Sequence, residues 1–526
     1  MSTPARRIVL STIVICAWAA LMPALSNAQV GDANLSVQVR DASAAVVPGA
    51  TIEVVAQATG LQRTAVTGGE GTVTIAHLPP GRYRVSVSLS GFTTQVQDVT
   101  LLIGQTADVS YQLAPSSISE TVEVTGGVPM IETNNATLHK VITPEEVQSL
   151  PINGRDFSTL ATLVPGVTQG NTSENKNFDP VKRNLPAISI NGQSGRNIDV
   201  LLDGGDNTDI QIGGQNIALS LEAVQEFEVI THDPKTQFNR GIGGVLNVVT
   251  KSGTNDVSGS AFGFFRDKAL QSIDAISAQL DKPKPPFSQQ QFGGTLGGPI
   301  KTNGAFYFVS YERQRRNTSR VFNSGGAFAA LDGTVTEQPF TQNFFLGKVN
   351  GRLTSSHNWM LRYAEQDNDS GNEFFSDSDA PGSTASVTNR AHDLVASLTS
   401  ILGTNRVNDL RFHYQWYENS IRNDVSSLEL PTLIFPAGTF GASQAGSQSP
   451  HQTTWEVRDD FSWTRGRHDI RIGGSLNYQP ATGIKGDFRH NRFLFANNDY
   501  DPATNTIGPT NTVLNYRSWM SPGFYV

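Results

Sequence analysis

Three carboxylates recur at every third position of a glycine-containing stretch, Asp203, Asp206 and Asp209 in L-D-G-G-D-N-T-D, and oxygen atoms so placed could ligate calcium. Their spacing is not that of an EF-hand loop. A turn with solvated carboxylates is the plainer reading, and no metal is expected. None of the nine histidines begins a His-x-x-Glu pair and no His-Glu-x-x-His helix occurs, so a zinc peptidase site lacks its ligands. There is no Gly-x-Ser-x-Gly elbow. The one Gly-Lys pair, Gly347-Lys348, is followed by Val rather than Ser or Thr, so it is no phosphate loop. Cys16 is the only cysteine, which rules out a disulfide framework or a cysteine metal site. Catalysis is not expected, and no cofactor is implied.

The chain that positions these residues is long enough, at 526 residues, for several domains. A net charge of −8 argues against nucleic acid, which asks for a basic face. Residues 1–28 read as an export signal: Arg6 and Arg7 form the positive end, Ile8 to Leu25 the apolar core, and Ser26-Asn27-Ala28 the small-x-small cleavage site. Beyond it no apolar run approaches the roughly 20 residues of a membrane helix. A membrane location would therefore require a barrel.

From Ile188 to Asn255 the chain runs I-S-I-N-G-Q-S-G-R, N-I-D-V-L-L-D-G, L-E-A-V-Q-E-F-E-V-I and G-I-G-G-V-L-N-V-V-T-K-S-G-T-N. Short strands punctuated by Asn-Gly, Asp-Gly and Gly-Gly predict a compact α/β unit. This order of pieces resembles the plug domain of TonB-dependent outer-membrane receptors, with the matching positions at Asn191, Gly192, Asp203, Gly204, Gly243, Gly244, Asn247 and Lys251. The resemblance implies a plug over residues 136–255 and a barrel around it. Upstream, Thr143-Pro144-Glu145-Glu146 is a helix start, with Thr143 as N-cap and Glu146 completing a capping box. The segment L-P-I-N-G-R-D-F-S-T-L-A-T-L-V-P-G-V, Leu150 to Val167, resembles the same region of Oar-like receptors. Asn171 to Pro186 is polar and aperiodic and reads as a loop.

Residues 29–114 alternate with period 2 in L-S-V-Q-V-R-D, A-T-I-E-V-V-A-Q, T-V-T-I-A-H-L, Y-R-V-S-V-S-L-S-G-F, V-Q-D-V-T-L-L-I and A-D-V-S-Y-Q-L, separated by Pro-Gly and Gly-Gly turns. That pattern predicts a small antiparallel β-sandwich. The stretches P-G-A-T-I-E-V, T-G-G-E-G-T-V-T-I and L-P-P-G-R-Y-R-V-S-V resemble the carboxypeptidase regulatory-like domain, an accessory module with a carbohydrate-binding-like fold. It could bind glycan or serve as a periplasmic spacer. The only aromatic residues available for stacking, Tyr83, Phe92 and Tyr111, favour the spacer. In the linker 115–135, Glu120-Thr121-Val122-Glu123-Val124 is β-prone between Ser-rich and Gly-rich flanks, a peptide able to add as a strand to another sheet. It resembles the TonB box, which implies contact with TonB.

Residues 256–526 read as a wall. Leu410, Phe412, Tyr414 and Trp416 alternate with Asp409, Arg411, His413 and Gln415. Ile470, Ile472, Leu476 and Tyr478 alternate with Asp469, Arg471, Ser475 and Asn477, and Trp359, Leu361 and Tyr363 with Met360 and Arg362. Nine such strands are expected near 257–266, 289–300, 305–316, 341–352, 358–367, 393–401, 406–419, 453–463 and 468–478. Their connections alternate short and long, as in outer-membrane barrels. Gln291 to Ile300 and Phe306 to Glu312 again resemble Oar-like receptors.

The expected protein is therefore mainly β: an N-terminal β-sandwich, an α/β plug domain and the first part of a transmembrane antiparallel β-barrel. The resemblance implies a receptor in the cell outer membrane, its sandwich in the periplasm. Its partners would be TonB with the energising inner-membrane complex, outer-membrane lipid, and a scarce solute such as a siderophore, oligosaccharide or peptide, or a glycan. An adhesion or assembly protein using the loops and the sandwich is the rival reading. At roughly 25 residues per strand, a 22-stranded plugged barrel takes on the order of 550 residues. The expectation is thus a fragment whose strands form an open curved sheet.

Overall fold

A computed structural model gives the fold and describes residues 32–115, 121–123, 137–152, 155–170, 187–209, 214–234, 238, 241–374, 378–403, 405–424, 430–444, 447–465, 468–487 and 491–518. The expected leader and the polar stretch 171–186 lie outside the described residues.

Seven strands, β1 (Ala33–Asp41), β2 (Thr51–Ala56), β3 (Gln62–Val66), β4 (Thr72–Leu78), β5 (Gly81–Ser88), β6 (Thr94–Leu101) and β7 (Thr106–Leu113), form the sandwich. One sheet has the order β4-β1-β7, and the other carries β3-β2-β5-β6. The period-2 pattern sends Leu35, Val37, Val39, Ile52, Val54, Val85 and Val87 between the sheets, where each is fully buried. The sandwich is not wholly antiparallel as expected: the chain crosses from one sheet to the other after β6, so β7 arrives parallel to β1. A further short strand, β8 (Thr121–Glu123), lies parallel on the outer edge of β6.

The central unit begins at β9 (Leu138–Ile142) and α1 (Pro144–Ser149). Its capping box forms as the sequence requires: Thr143 Oγ1 accepts from Glu146 N at 3.3 Å and Glu146 Oε2 accepts from Thr143 N at 2.9 Å. A 3-10 helix, Phe157–Leu163, is capped by Asp156 and sets Phe157 edge-on to Phe227. The hairpin β10 (Val167–Gly170) with β11 (Ala187–Ile190) follows. Four more strands, β12 (Ile198–Leu202), β13 (Gly205–Asp206), β14 (Val224–His232) and β15 (Gly244–Thr250), complete a sheet of order β13-β12-β15-β14-β9. Within it β12 and β15 are parallel, and every residue of both is buried. Continuous apolar runs such as I-D-V-L-L and G-V-L-N-V-V-T suit strands covered on both faces.

The wall is a nine-stranded antiparallel sheet: β16 (Ser258–Asp267), β17 (Ser288–Lys301), β18 (Ala305–Val321), β19 (Val335–Thr354), β20 (His357–Glu373), β21 (Ala385–Ile401), β22 (Arg406–Asn423), β25 (Ser447–Arg465) and β26 (His468–Asp487). Each strand pairs with the next in sequence order. Among the described residues the sheet is open, with one neighbour each for β16 and β26, as expected. The strands run up to 20 residues, longer than the ~9–11 that cross a bilayer. The long connections are correspondingly shorter than expected.

Along β22 the polar residues Asp409, Arg411, His413 and Gln415 are buried while Leu410, Phe412, Tyr414 and Trp416 face outward. The polar face is the inner one because the central unit packs on it. Phe308, Leu346, Ala364, Ala391 and Tyr417 of the wall join the apolar core of the central unit. Between β22 and β25, where a loop was expected, the hairpin β23 (Thr432–Phe435) and β24 (Gly438–Gly441) extends into a separate small sheet with β27 (Asn491–Phe495) and the strand Val513–Ser518.

Candidate functional site between the central unit and the wall

The Asp203-Gly204 turn after β12 is tight and left-handed, with φ of 46° and 78°. A side chain at Gly204 would collide with Arg411 Nη1, since a Cβ there would sit 1.7 Å away. The turn therefore presses backbone against the wall. Asp203 Oδ1 accepts from Thr250 N at 3.0 Å, and Oδ2 accepts from Thr250 Oγ1 at 2.7 Å. From the wall, Lys348 Nζ approaches Asp203 Oδ1 at 3.4 Å and donates to Thr250 O at 3.0 Å. Arg362 Nε lies 3.1 Å from Asp203 Oδ2, and its Nη2 donates to Leu202 O at 3.2 Å. Burial alone would raise the Asp203 carboxyl; Lys348, Arg362 and Thr250 outweigh it and hold the group below the usual carboxylate range.

The chain of charge continues around the wall. Arg362 Nη2 donates to Asp393 Oδ1 at 2.6 Å, and Asp393 Oδ2 meets His413 Nε2 at 2.9 Å and accepts from Gln415 Nε2 at 2.8 Å. His413 Nδ1 lies 3.7 Å from Glu456 Oε2. Gln415 turns back to the central unit, donating to Asn207 Oδ1 and accepting from Asn216 Nδ2 at 2.7 Å. Four adjacent strands, β19 to β22, thus grip one turn.

This overturns the solvated-turn reading of Asp203, Asp206 and Asp209. All three are buried. Asp203 is ion-paired, and Asp206 Oδ1 accepts from Thr208 N at 3.0 Å. Among the described residues no three His, Cys, Asp or Glu side chains converge to hold a metal.

The other motif positions separate into groups. Asn191 and Gly192 make a left-handed turn, and Asn191 Nδ2 donates to Thr231 O at 3.0 Å. Gly243 and Gly244 open β15: a Cβ at Gly243 would meet Asn197 O at 3.1 Å, and one at Gly244 would meet Ile230 O at 2.7 Å. Asn247 is buried mid-strand opposite Leu201 and Glu228. Lys251 lies 3.9 Å from Glu222, which also takes Arg155 Nη2 at 2.9 Å. Arg155 in turn stacks over Phe262 and Phe264 of β16. Of the segment 120–124, Thr121, Val122 and Glu123 form β8, whereas Glu120 and Val124 lie outside the described residues. In the sequence Arg362, His413 and Gln415 are only the polar members of alternating strands; nothing local marks them, or Lys348, as parts of the network around Asp203.

The sandwich closes on the short-turn end of this assembly. Ile103 N donates to Glu226 Oε1 of β14 at 2.6 Å, His77 Nε2 meets Ser462 Oγ at 2.7 Å, and Asn255 N donates to Ala58 O at 2.9 Å. Burial, with Glu228 and Glu145 nearby, pushes the Glu226 carboxyl up to about 8 against the opposing Ile103 hydrogen bond. Burial pushes His77 down to about 3. Tyr83 and Tyr111 are core residues and offer no stacking platform for sugar.

An antiparallel wall, apolar outside and polar inside, gripping an α/β unit, defines an outer-membrane protein. The wall matches the outer membrane beta barrel domain over residues 249–331 and 323–518, more than half of the chain, and the chain belongs to that family. Residues 34–114 match the carboxypeptidase regulatory-like domain. The TonB-dependent transporter Oar of Myxococcus xanthus is 29% identical over 279 residues, 50% of this chain and 25% of that protein. The probable TonB-dependent siderophore receptor PirA of Acinetobacter baumannii is 29% identical over 205 residues, 36% of this chain and 25% of that one. The chain thus matches about a quarter of the length of either relative. The outer membrane transporter YddB of Escherichia coli shares the fold with a TM-score of 0.52 at 14% identity, over 68% of this chain and 50% of its own. The chain is thus an outer-membrane protein similar over part of its length to the TonB-dependent transporter Oar.

Proposed function

We propose that this protein takes part in TonB-driven uptake of a solute across the outer membrane. In this reading the central unit is the plug, the sandwich stands in the periplasm, and Glu120 to Val124 add as a strand to TonB. The observation that carries it is the grip of Lys348 and Arg362 on Asp203, by which an α/β unit is seated on the polar face of the wall through ion pairs beside the apolar core that it shares with Phe308, Leu346, Ala364, Ala391 and Tyr417. An element that must move under force suits a seam that includes directional polar attachments as well as apolar contact. Relatives described as transporters or siderophore receptors support this reading over catalysis.

The test is uptake of labelled siderophore, oligosaccharide and peptide by cells with and without TonB. Uptake of one class that requires TonB is expected. Val122→Pro removes a backbone donor and fixes φ, so it should abolish energised uptake and leave solute binding intact. Uptake indifferent to TonB would overturn the reading in favour of adhesion or assembly.

A further inference from the structure

The outer edge of the sandwich sheet is not bare. β8 lies along β6 in parallel register, Thr94 with Thr121, Gln95 with Val122 and Val96 with Glu123, making the sheet order β3-β2-β5-β6-β8. An exposed strand edge offers a row of unpaired N–H and C=O groups to any extended peptide. The occupant here is this chain's own Thr121–Glu123, the core of the segment assigned above to TonB. Pro115 is also bridged to Phe92, so the chain is fastened beside the start of β6 before it returns along that strand.

We propose that the β6 edge is an intramolecular holding site for Thr121–Glu123, and that a partner recognising this segment by strand addition must displace it from the sandwich. The proposal rests on the TonB reading for the identity of that partner. In a strand, successive residues direct their backbone N–H and C=O groups to opposite edges. Three residues paired to β6 leave too few groups on the free edge to hold a second sheet. The pairing is also built to release: it spans three residues, against 17 for the β21–β22 ladder of the wall, and its partner strand keeps β5 on its other side. The sandwich is then neither spacer nor glycan reader but a guard on the contact segment.

Strand spacing within a sheet is about 4.8 Å, inside the ~4.4–6.8 Å between Cα atoms that a disulfide accepts. Cys16 is the only native cysteine, so Gln95→Cys with Val122→Cys in a Cys16→Ser background reports one pair. The full chain, purified in detergent, should form this disulfide under mild oxidant. The purified periplasmic domain of TonB should bind the oxidised form at least tenfold more weakly than the reduced form. Failure of the disulfide to form would overturn the holding site and leave the TonB reading untouched. Equal binding by oxidised and reduced forms would overturn displacement, again without touching that reading. Absence of binding to the reduced double variant and to the unmodified chain alike would overturn the TonB reading itself, and this inference with it.

Discussion

Arg362 Nε of the wall stands 3.1 Å from Asp203 Oδ2 of the central unit, with both side chains buried. The pair is shared, because Arg362 also holds Asp393 and Asp203 also meets Lys348. Asp203→Ala would leave two buried cations facing a void where the carboxylate was. Breaking a buried pair from one side costs about 3–5 kcal/mol. The expected outcome is faster proteolysis of the central unit and a lower urea midpoint; an unchanged midpoint would show that the grip contributes nothing to seating.

Gly244 enters β15 at φ of 138°, and a Cβ there would stand 2.6 Å from Ile190 Cδ1 and 2.7 Å from Ile230 O. Gly244→Val adds both backbone strain and overpacking in a strand buried on both faces. A loss of roughly 1–3 kcal/mol is expected. New protease cuts within residues 187–250 would report it, and a wild-type digestion pattern would count against close packing at this position.

Seating of the sandwich depends on pH through Glu226. Its carboxyl titrates near 8 when Ile103 covers it and near the ordinary glutamate value of 4.5 when free, so the docked state binds more protons across that interval. Docking is therefore strongest below the free value and weakens as pH rises through about 8. His77, pushed down to about 3 from 6.5, acts in the opposite sense but only below about 6.5, where the free imidazole takes up a proton. Glu228, Glu145 and His139 face the same contact. Between pH 6.5 and 8 the Ile103 amide should exchange faster with rising pH than intrinsic chemistry accounts for. Glu226→Gln should remove the excess; a Glu226→Gln profile matching wild type would exclude the carboxyl as its source.

Arg155 ties the central unit to the margin of the wall, stacked 4.3 Å over Phe262 and 5.0 Å over Phe264 while bonded to Glu222. Arg155→Ala should cost about 0.5–2 kcal/mol. Hydrogen exchange along β16 should quicken while β21 and β22 stay protected. Uniform exchange across the wall would mean that β16 is held by its ladder to β17 alone.

The nine wall strands were legible because period-2 alternation is local and the turns at Lys301–Gly304 and Leu402–Asn405 are short. Their true length was not, since stretches such as Asp367 to Glu373 look like loop by composition and are held as strand by pairing with β19 and β21. The same reason hid β3, whose Q-R-T-A-V shows no polar–apolar alternation, and the β23–β24 hairpin. The Asp203-Gly204 turn could be read from its dipeptide, but its burial could not. The cover comes from Lys348 and Arg362, more than a hundred residues away, and charge on an inner face gives no sign of whom it will meet. Likewise the Ser-rich and Gly-rich flanks of Thr121–Glu123 gave no hint that β6 takes up the strand.

At the long-loop end, Phe322 and Phe328 from the β18–β19 connection, Ala380 from the β20–β21 connection, Leu433, Phe435 and Phe440 from the β23–β24 hairpin and Phe495 of β27 share one buried core, with Phe435 and Phe495 stacked 4.5 Å apart. Loops that share a core give up their separate freedom. Whatever approaches this rim meets a single lintel instead of independent fingers, and the ordering cost of gathering those loops has been met by folding before any contact is made. A shift at one aromatic ring is therefore a tilt of the whole rim.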